Sequence, residues 1–114
     1  RKKYNSWKFC NLVELIEWKK RSGIISDLLI NCTSMGMKNN NILPLKLKSK
    51  KQFKLIVDLP INQSTKLSKI SKKLNINYID GQYISLIQGI EQYRLYNGKR
   101  LHLDRMKKIL GYKF

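Results

Sequence analysis

Positive charge constrains this chain more than any other feature: 24 Lys and Arg side chains face only 7 Asp and Glu, a formal excess of +17 on 114 residues. Like charges in such number repel one another in any compact state, so they must be spread over the outside of one modest apolar interior. A single domain is expected. The hydrophobic fraction of 42% is close to the roughly 45–50% of folded proteins, which excludes a disordered basic tail. The chain has no Ala but 19 Lys, 14 Ile and 10 Asn, all encoded by AT-rich codons. Base composition raises Asn together with Lys, yet it gives no reason for acids to be scarce. The charge is therefore read as a surface for a polyanion.

The two cysteines, Cys10 and Cys32, are too few for the disulfide framework of a small secreted domain, and a reducing compartment fits them. No apolar run approaches the roughly 18 residues of a membrane span. The opening Arg1-Lys2-Lys3-Tyr4 lacks the apolar stretch of a secretory signal. A soluble chain with no membrane partner is expected.

Hydrophobic spacing gives the elements. Phe9, Leu12, Val13 and Ile16, widened by Leu15 and Trp18, fall at helical spacing, with Asn11 and Glu14 as a capping box and Ser22-Gly23 as the stop. Residues Ile24 to Ile30 read as a short strand or a helical extension, and the polar run from Met35 to Asn41 as a loop. From Leu43 the period changes to two. Leu43, Leu45 and Leu47, then Phe53, Leu55, Val57 and Leu59, predict a hairpin with one buried face. Its outer face and connection carry Lys46, Lys48, Lys50, Lys51 and Lys54, which also guard an edge ribbon against aggregation.

After Pro60, Ser64 is placed to cap a helix that turns Leu67, Ile70 and Leu74 inward and leaves Lys66, Lys69, Lys72 and Lys73 outside. The dipeptides Asp80-Gly81 and Asn97-Gly98 each predict a two-residue hairpin turn, the first between strands 76–79 and 83–87, the second between strands 93–96 and 99–103. Asp104 then caps a last helix with Met106, Ile109 and Leu110 apolar and Gly111 as its stop. The fold class expected is α+β, a small antiparallel sheet of hairpins with two or three short helices.

Catalytic constellations are sparse. The single His102 lies near Asp104 but near no obvious Ser or Cys nucleophile. Two isolated Cys and one His do not make a zinc site. The seven acids form no close pair for magnesium, and neither a Walker loop nor a dinucleotide glycine fingerprint is present. No enzyme activity, cofactor, metal or small-molecule substrate is expected.

Nucleic-acid binding needs cations for phosphates and flat rings for bases, and the sequence interleaves them: Trp7 beside Lys8, Arg94 between Tyr93 and Tyr96, Tyr112 beside Lys113. Arg94, Lys99 and Arg100, followed by Arg105, Lys107 and Lys108, form a cationic end for phosphate contact. With no major-groove reading motif, structured RNA is favoured over duplex DNA. Lys2 and Lys3 join the candidates at the other end, so the expectation is one RNA-binding domain over 1–114 with basic loops and termini.

Three short stretches, Ser6-Trp7-Lys8 with Phe9, Tyr96-Asn97-Gly98-Lys99 and the closing Gly111-Tyr112-Lys113-Phe114, resemble the small-subunit ribosomal protein nineteen family, especially its organellar members. Ile42-Leu43-Pro44 and the stretch from Phe53 to Lys73 resemble the small-subunit ribosomal protein ten family. The first resemblance implies a structural protein of the mitochondrial small ribosomal subunit, bound to ribosomal RNA and neighbouring ribosomal proteins, with Trp7, Lys8, Asn97, Gly98, Lys99 and Lys113 facing RNA. A DNA-binding accessory factor of a virus or mobile element, and an adaptor for an acidic protein partner, are the alternatives.

Overall fold

The structure is a computed structural model that describes residues 16–38, 40–61 and 64–111. Three strands, β1 (Ser26–Asn31), β2 (Phe53–Asp58) and β3 (Asn77–Asp80), form one sheet in the order β1-β2-β3. Both pairings are parallel: Leu28 lies opposite Leu55 and Asn31 opposite Asp58, while Ile56 lies opposite Tyr78 and Asp58 opposite Asp80. The expected α+β content stands, but the antiparallel hairpins are corrected to a parallel sheet. A parallel pair needs a crossover, and α1 (Lys66–Lys73) supplies one between β2 and β3. Residues 32–52 supply the other, with no regular helix among the described residues of that stretch.

The alternation at Leu43, Leu45 and Leu47 does not make a strand. These leucines feed the core instead, where Leu45, Phe53, Ile56, Leu67 and Ile76 are buried and Leu29, Leu43, Leu47, Leu74 and Tyr78 pack around them. Side chains satisfy the irregular backbone there. Ser22 Oγ accepts from Lys46 N–H, and buried Gln52 accepts from Lys48 N–H while donating to the carbonyls of Ser22 and Ile24. A chain segment fixed this way gains burial without a ladder partner.

Helix α1 begins one residue later than expected. Its cap is Thr65, whose Oγ1 accepts from Ser68 N–H at 2.9 Å. Leu67 is buried, Ile70 and Leu74 half-buried, and all four lysines are exposed, as the helical stripe requires. Asn75, at φ 54°, turns the chain into β3 in a left-handed conformation that Asn tolerates.

Both hairpin turns are corrected together, because Asp80-Gly81 and Asn97-Gly98 are the two ends of one helix, α2 (Gly81–Asn97). Asp80 Oδ1 accepts from Tyr83 N–H at 2.7 Å, and Gly98 closes the helix at φ 64°. Leu86 and Ile90, four apart, are its buried residues, so the apolar run follows a helical period that strand reading missed. Helix α3 (Leu103–Leu110) ends at Gly111, φ 67°, as expected, but its cap position is His102, with Asp104 in the first turn. The expected first helix lies mostly outside the described residues, which show a short 3-10 helix at Trp18–Gly23.

Candidate functional site at the carboxyl edge of the sheet

Each strand is an apolar run that ends on a polar residue: Ile30-Asn31, Val57-Asp58 and Ile79-Asp80. Parallel pairing brings these three ends to one edge, the edge at which open parallel sheets bind ligands. Asp58 sits there with no exposed surface. Its carboxylate accepts from Asn31 Nδ2 at 2.6 Å, from Thr65 Oγ1 at 2.8 Å and from the Tyr78 hydroxyl at 2.6 Å. Burial and the adjoining Asp58 carboxylate hold the Tyr78 phenol protonated far above its ordinary range, with burial the larger cause. One acceptor thus ties β1, β2, β3 and the cap of α1 together.

The network continues into the loop after β1. Asn31 Nδ2 also donates to Met35 O at 2.9 Å, while Asn31 Oδ1 accepts from Thr33 N–H at 3.1 Å and from Thr33 Oγ1 at 2.7 Å. Thr33 Oγ1 in turn accepts from Met35 N–H at 3.2 Å. This is an Asx-type turn, with a side chain standing in for backbone. Gly36 completes it at φ 109°, where a Cβ would lie 3.3 Å from Thr65 Cγ2. Gly81 allows a still closer approach, since a Cβ there would lie 2.2 Å from Leu59 O. The three loops at this edge are therefore locked against one another through two glycines.

The solvent side of the edge offers Cys32, Ser34 and Met37 exposed, with Thr33 and Met35 partly so. A cavity of about 120 Å³ opens beside it, lined by Trp18, Arg21, Ile30, Asn31, Thr33 and Pro44 among others. The Arg21 guanidinium lies 3.9 Å from the centre of the Trp18 ring and donates to Pro44 O. Cation–π stacking and that bond hold a fixed positive charge near Thr33. Among the described residues no group of three His, Cys, Asp or Glu is placed to hold a metal ion.

The cations singled out from sequence lie elsewhere. Lys46, Lys48, Lys50 and Lys51 are exposed on the segment entering β2, at the opposite end of the strands. Arg94, Asn97, Gly98, Lys99 and Arg100 are exposed around the end of α2, where Arg94 pairs with Glu91 at 2.7 Å and Arg100 at 3.8 Å. The Arg94 bond holds the Glu91 carboxyl below its ordinary range. Arg105 and Lys108 are exposed on α3, and half-buried Lys107 lies 5.4 Å from the Tyr83 ring. Lys2, Lys3, Trp7, Lys8 and Lys113 lie outside the described residues. Sequence reasoning missed Asn31, Asp58, Thr65 and Tyr78, although the recurrent apolar-run-then-Asn/Asp pattern was a usable signal.

Comparison with known proteins gives this edge a context. No protein-family model matches the chain. The curated relatives are shikimate dehydrogenases (NADP(+)). The protein of Maridesulfovibrio salexigens is 30% identical over 101 residues, covering 86% of this chain and 37% of that one. The protein of Clostridium perfringens is 35% identical over 83 residues, covering 71% and 31%. The chain is similar to shikimate dehydrogenases over most of its length. It spans about a third of the length of these relatives.

Solved structures agree on the fold. Shikimate 5-dehydrogenase from Listeria monocytogenes, in complex with shikimate and NAD, superposes with a TM-score of 0.65 at 22% identity, over 75% of this chain and 30% of that chain. Shikimate dehydrogenase 1 from Peptoclostridium difficile gives 0.65 at 24%, over 83% and 37%.

These likenesses overturn the ribosomal reading. The relatives are oxidoreductases of small molecules, not ribosomal proteins, so the expectations of a non-enzymatic role in mitochondrial translation, of ribosomal RNA and ribosomal protein partners, and of no small-molecule substrate are corrected. The DNA-binding and adaptor alternatives find no support either. The physical source of the error is visible in Tyr96-Asn97-Gly98-Lys99. It is a helix C-terminus closed by a left-handed glycine, a local device that recurs wherever a helix ends.

Proposed function

We propose that this chain is the nucleotide-binding portion of an NADP-linked dehydrogenase acting on shikimate, with the dinucleotide seated at the carboxyl edge of the sheet. The observation that carries this reading is the parallel β1-β2-β3 sheet whose three loops are locked at that edge, in a chain similar to NADP(+)-dependent shikimate dehydrogenases over 86% of its length. The chemistry of the edge suits such a ligand. The exposed Ser34 adds a neutral hydroxyl, Arg21 adds a fixed positive charge, and the Asp58 carboxylate is turned inward and fully covered. An anionic dinucleotide therefore meets no exposed carboxylate on the 31–37 loop.

The +17 excess raises the local concentration of any anionic ligand. When bound, NADP+ supplies the hydride acceptor. The residues of this chain that would hold it are those of the 31–37 loop together with Trp18 and Arg21, which line the adjoining cavity. Titration of the chain with NADPH, followed by nicotinamide fluorescence, tests the reading. A saturable change that NADP+ reverses by competition is expected. Absence of any saturable NADPH signal overturns it.

A further inference from the structure

The geometry points to Asp58 as a positioning residue that controls dinucleotide affinity at a distance, by dictating which way the Asn31 carboxamide faces and hence whether the 33–35 turn forms. This rests on the function proposed above, and it concerns a group that touches no ligand, since Asp58 has no exposed surface.

The argument is one of donor and acceptor polarity. An ionised carboxylate only accepts. Asn31 must therefore present its NH2 to Asp58, at 2.6 Å, and its oxygen falls on the opposite side. There that oxygen accepts from both the N–H and the hydroxyl of Thr33, at 3.1 and 2.7 Å. Having donated its proton, Thr33 Oγ1 is left as the acceptor for Met35 N–H. A flipped Asn31 puts a donor against the Thr33 N–H donor, so that bond is lost and the Thr33 hydroxyl loses the acceptor for its proton.

Outside the loop itself, nothing else at the site imposes that orientation. The Met35 carbonyl also accepts from Asn31 Nδ2, at 2.9 Å, but it belongs to the loop being positioned. Thr65 and Tyr78 complete the arrangement by spending their hydroxyl protons on the second oxygen of Asp58, at 2.8 and 2.6 Å. A role confined to stability is a poor explanation for such a group. Buried ionised networks stabilise less than apolar packing of equal volume, and their best-attested use is to specify one arrangement.

The test is Asp58→Asn, which keeps the size and removes the acceptor-only character, alongside Thr33→Val, which breaks the same chain at its partly exposed end without touching the core. Two readouts are taken on each. Amide hydrogen exchange of Thr33 and Met35 is measured without ligand, and the NADPH dissociation constant is measured on the folded protein at a temperature well below unfolding.

Asp58→Asn is expected to lose protection at both amides and to bind NADPH about tenfold more weakly, the effect of one lost charge-assisted hydrogen bond. Thr33→Val is expected to weaken binding similarly, and the double variant no more than either alone, because both interrupt one relay. Unchanged exchange at Thr33 and Met35 in Asp58→Asn overturns the inference, and so do additive losses in the double variant. Should Asp58→Asn fail to fold in plain buffer, the same exchange is read in it with a stabilising osmolyte added: protection at Thr33 and Met35 falls under the inference, and unchanged protection overturns it. The exchange readout needs no dinucleotide, so a wild-type chain that ignores NADPH refutes the function proposed above while the relay is still judged on its own amides.

Discussion

Gly81→Ala offers the sharpest test of how the carboxyl edge is built. A methyl at this position would lie 2.2 Å from Leu59 O, 2.7 Å from Leu59 C and 2.8 Å from Pro60 O. All three are backbone atoms, so no side-chain rotation relieves the contact, and the first turn of α2 or the Leu59-Pro60 strand end has to move by about 1 Å to restore ordinary separation. Overpacking of this kind costs about 1–3 kcal/mol, and here it falls at the upper end because main chain must shift. Alanine returns about 0.5 kcal/mol through the unfolded chain. The net loss is about 2 kcal/mol, on the order of 10 °C in Tm for a chain of this size.

The companion substitution has the opposite sign. Gly89 sits in the interior of α2 with nothing within 4 Å of the added methyl, so Gly89→Ala is expected to stabilise by about 0.5–1 kcal/mol through helix propensity. Urea unfolding followed by far-UV circular dichroism compares the two directly. If Gly81→Ala unfolds at the wild-type midpoint, the packing of α2 against the end of β2 described above is wrong.

Three other outcomes are expected. The raised Tyr78 phenol implies stability that is fully present below its ordinary value of 10.0 and is lost as pH climbs beyond it, because the unfolded chain then releases a proton that the folded one retains. Wild type should lose stability between about pH 9 and 11 more steeply than Tyr78→Phe, and identical slopes in urea titrations would argue against the burial of the phenol beside Asp58. Thr65→Ala removes the cap of α1 and one donor to Asp58, for a loss of about 2 kcal/mol. Thr65→Ser keeps both bonds and should recover most of that loss in the same unfolding assay. At Gly98, φ 64°, alanine is expected to cost about 1 kcal/mol by straining the C-terminus of α2, read as a lowered Tm.

Much of the local structure was legible in residue order, because it depends on neighbours. The apolar stripe of α1 with its lysines outside, the stop of α3 at Gly111, the strand character of 53–57 and the polar loop after β1 all follow from spacing and turn chemistry, whereas 24–30 read equally as strand or helix until β1 paired with β2. The charge excess was equally legible, but it names no ligand: Coulomb's law asks for an anion and does not distinguish one from another. Only tertiary structure decided the rest. Asp80-Gly81 and Asn97-Gly98 are turn signals in isolation, and they became helix ends because Leu86 and Ile90 bury together on one face, which no dipeptide records. Parallel rather than antiparallel pairing hinges on where α1 returns the chain. Together the two pairings bring Asn31, Thr65 and Tyr78, dispersed over the sequence, within hydrogen-bond reach of the Asp58 carboxylate. Local signals act over a few residues, whereas a site assembled from three strand ends exists only once the sheet has closed.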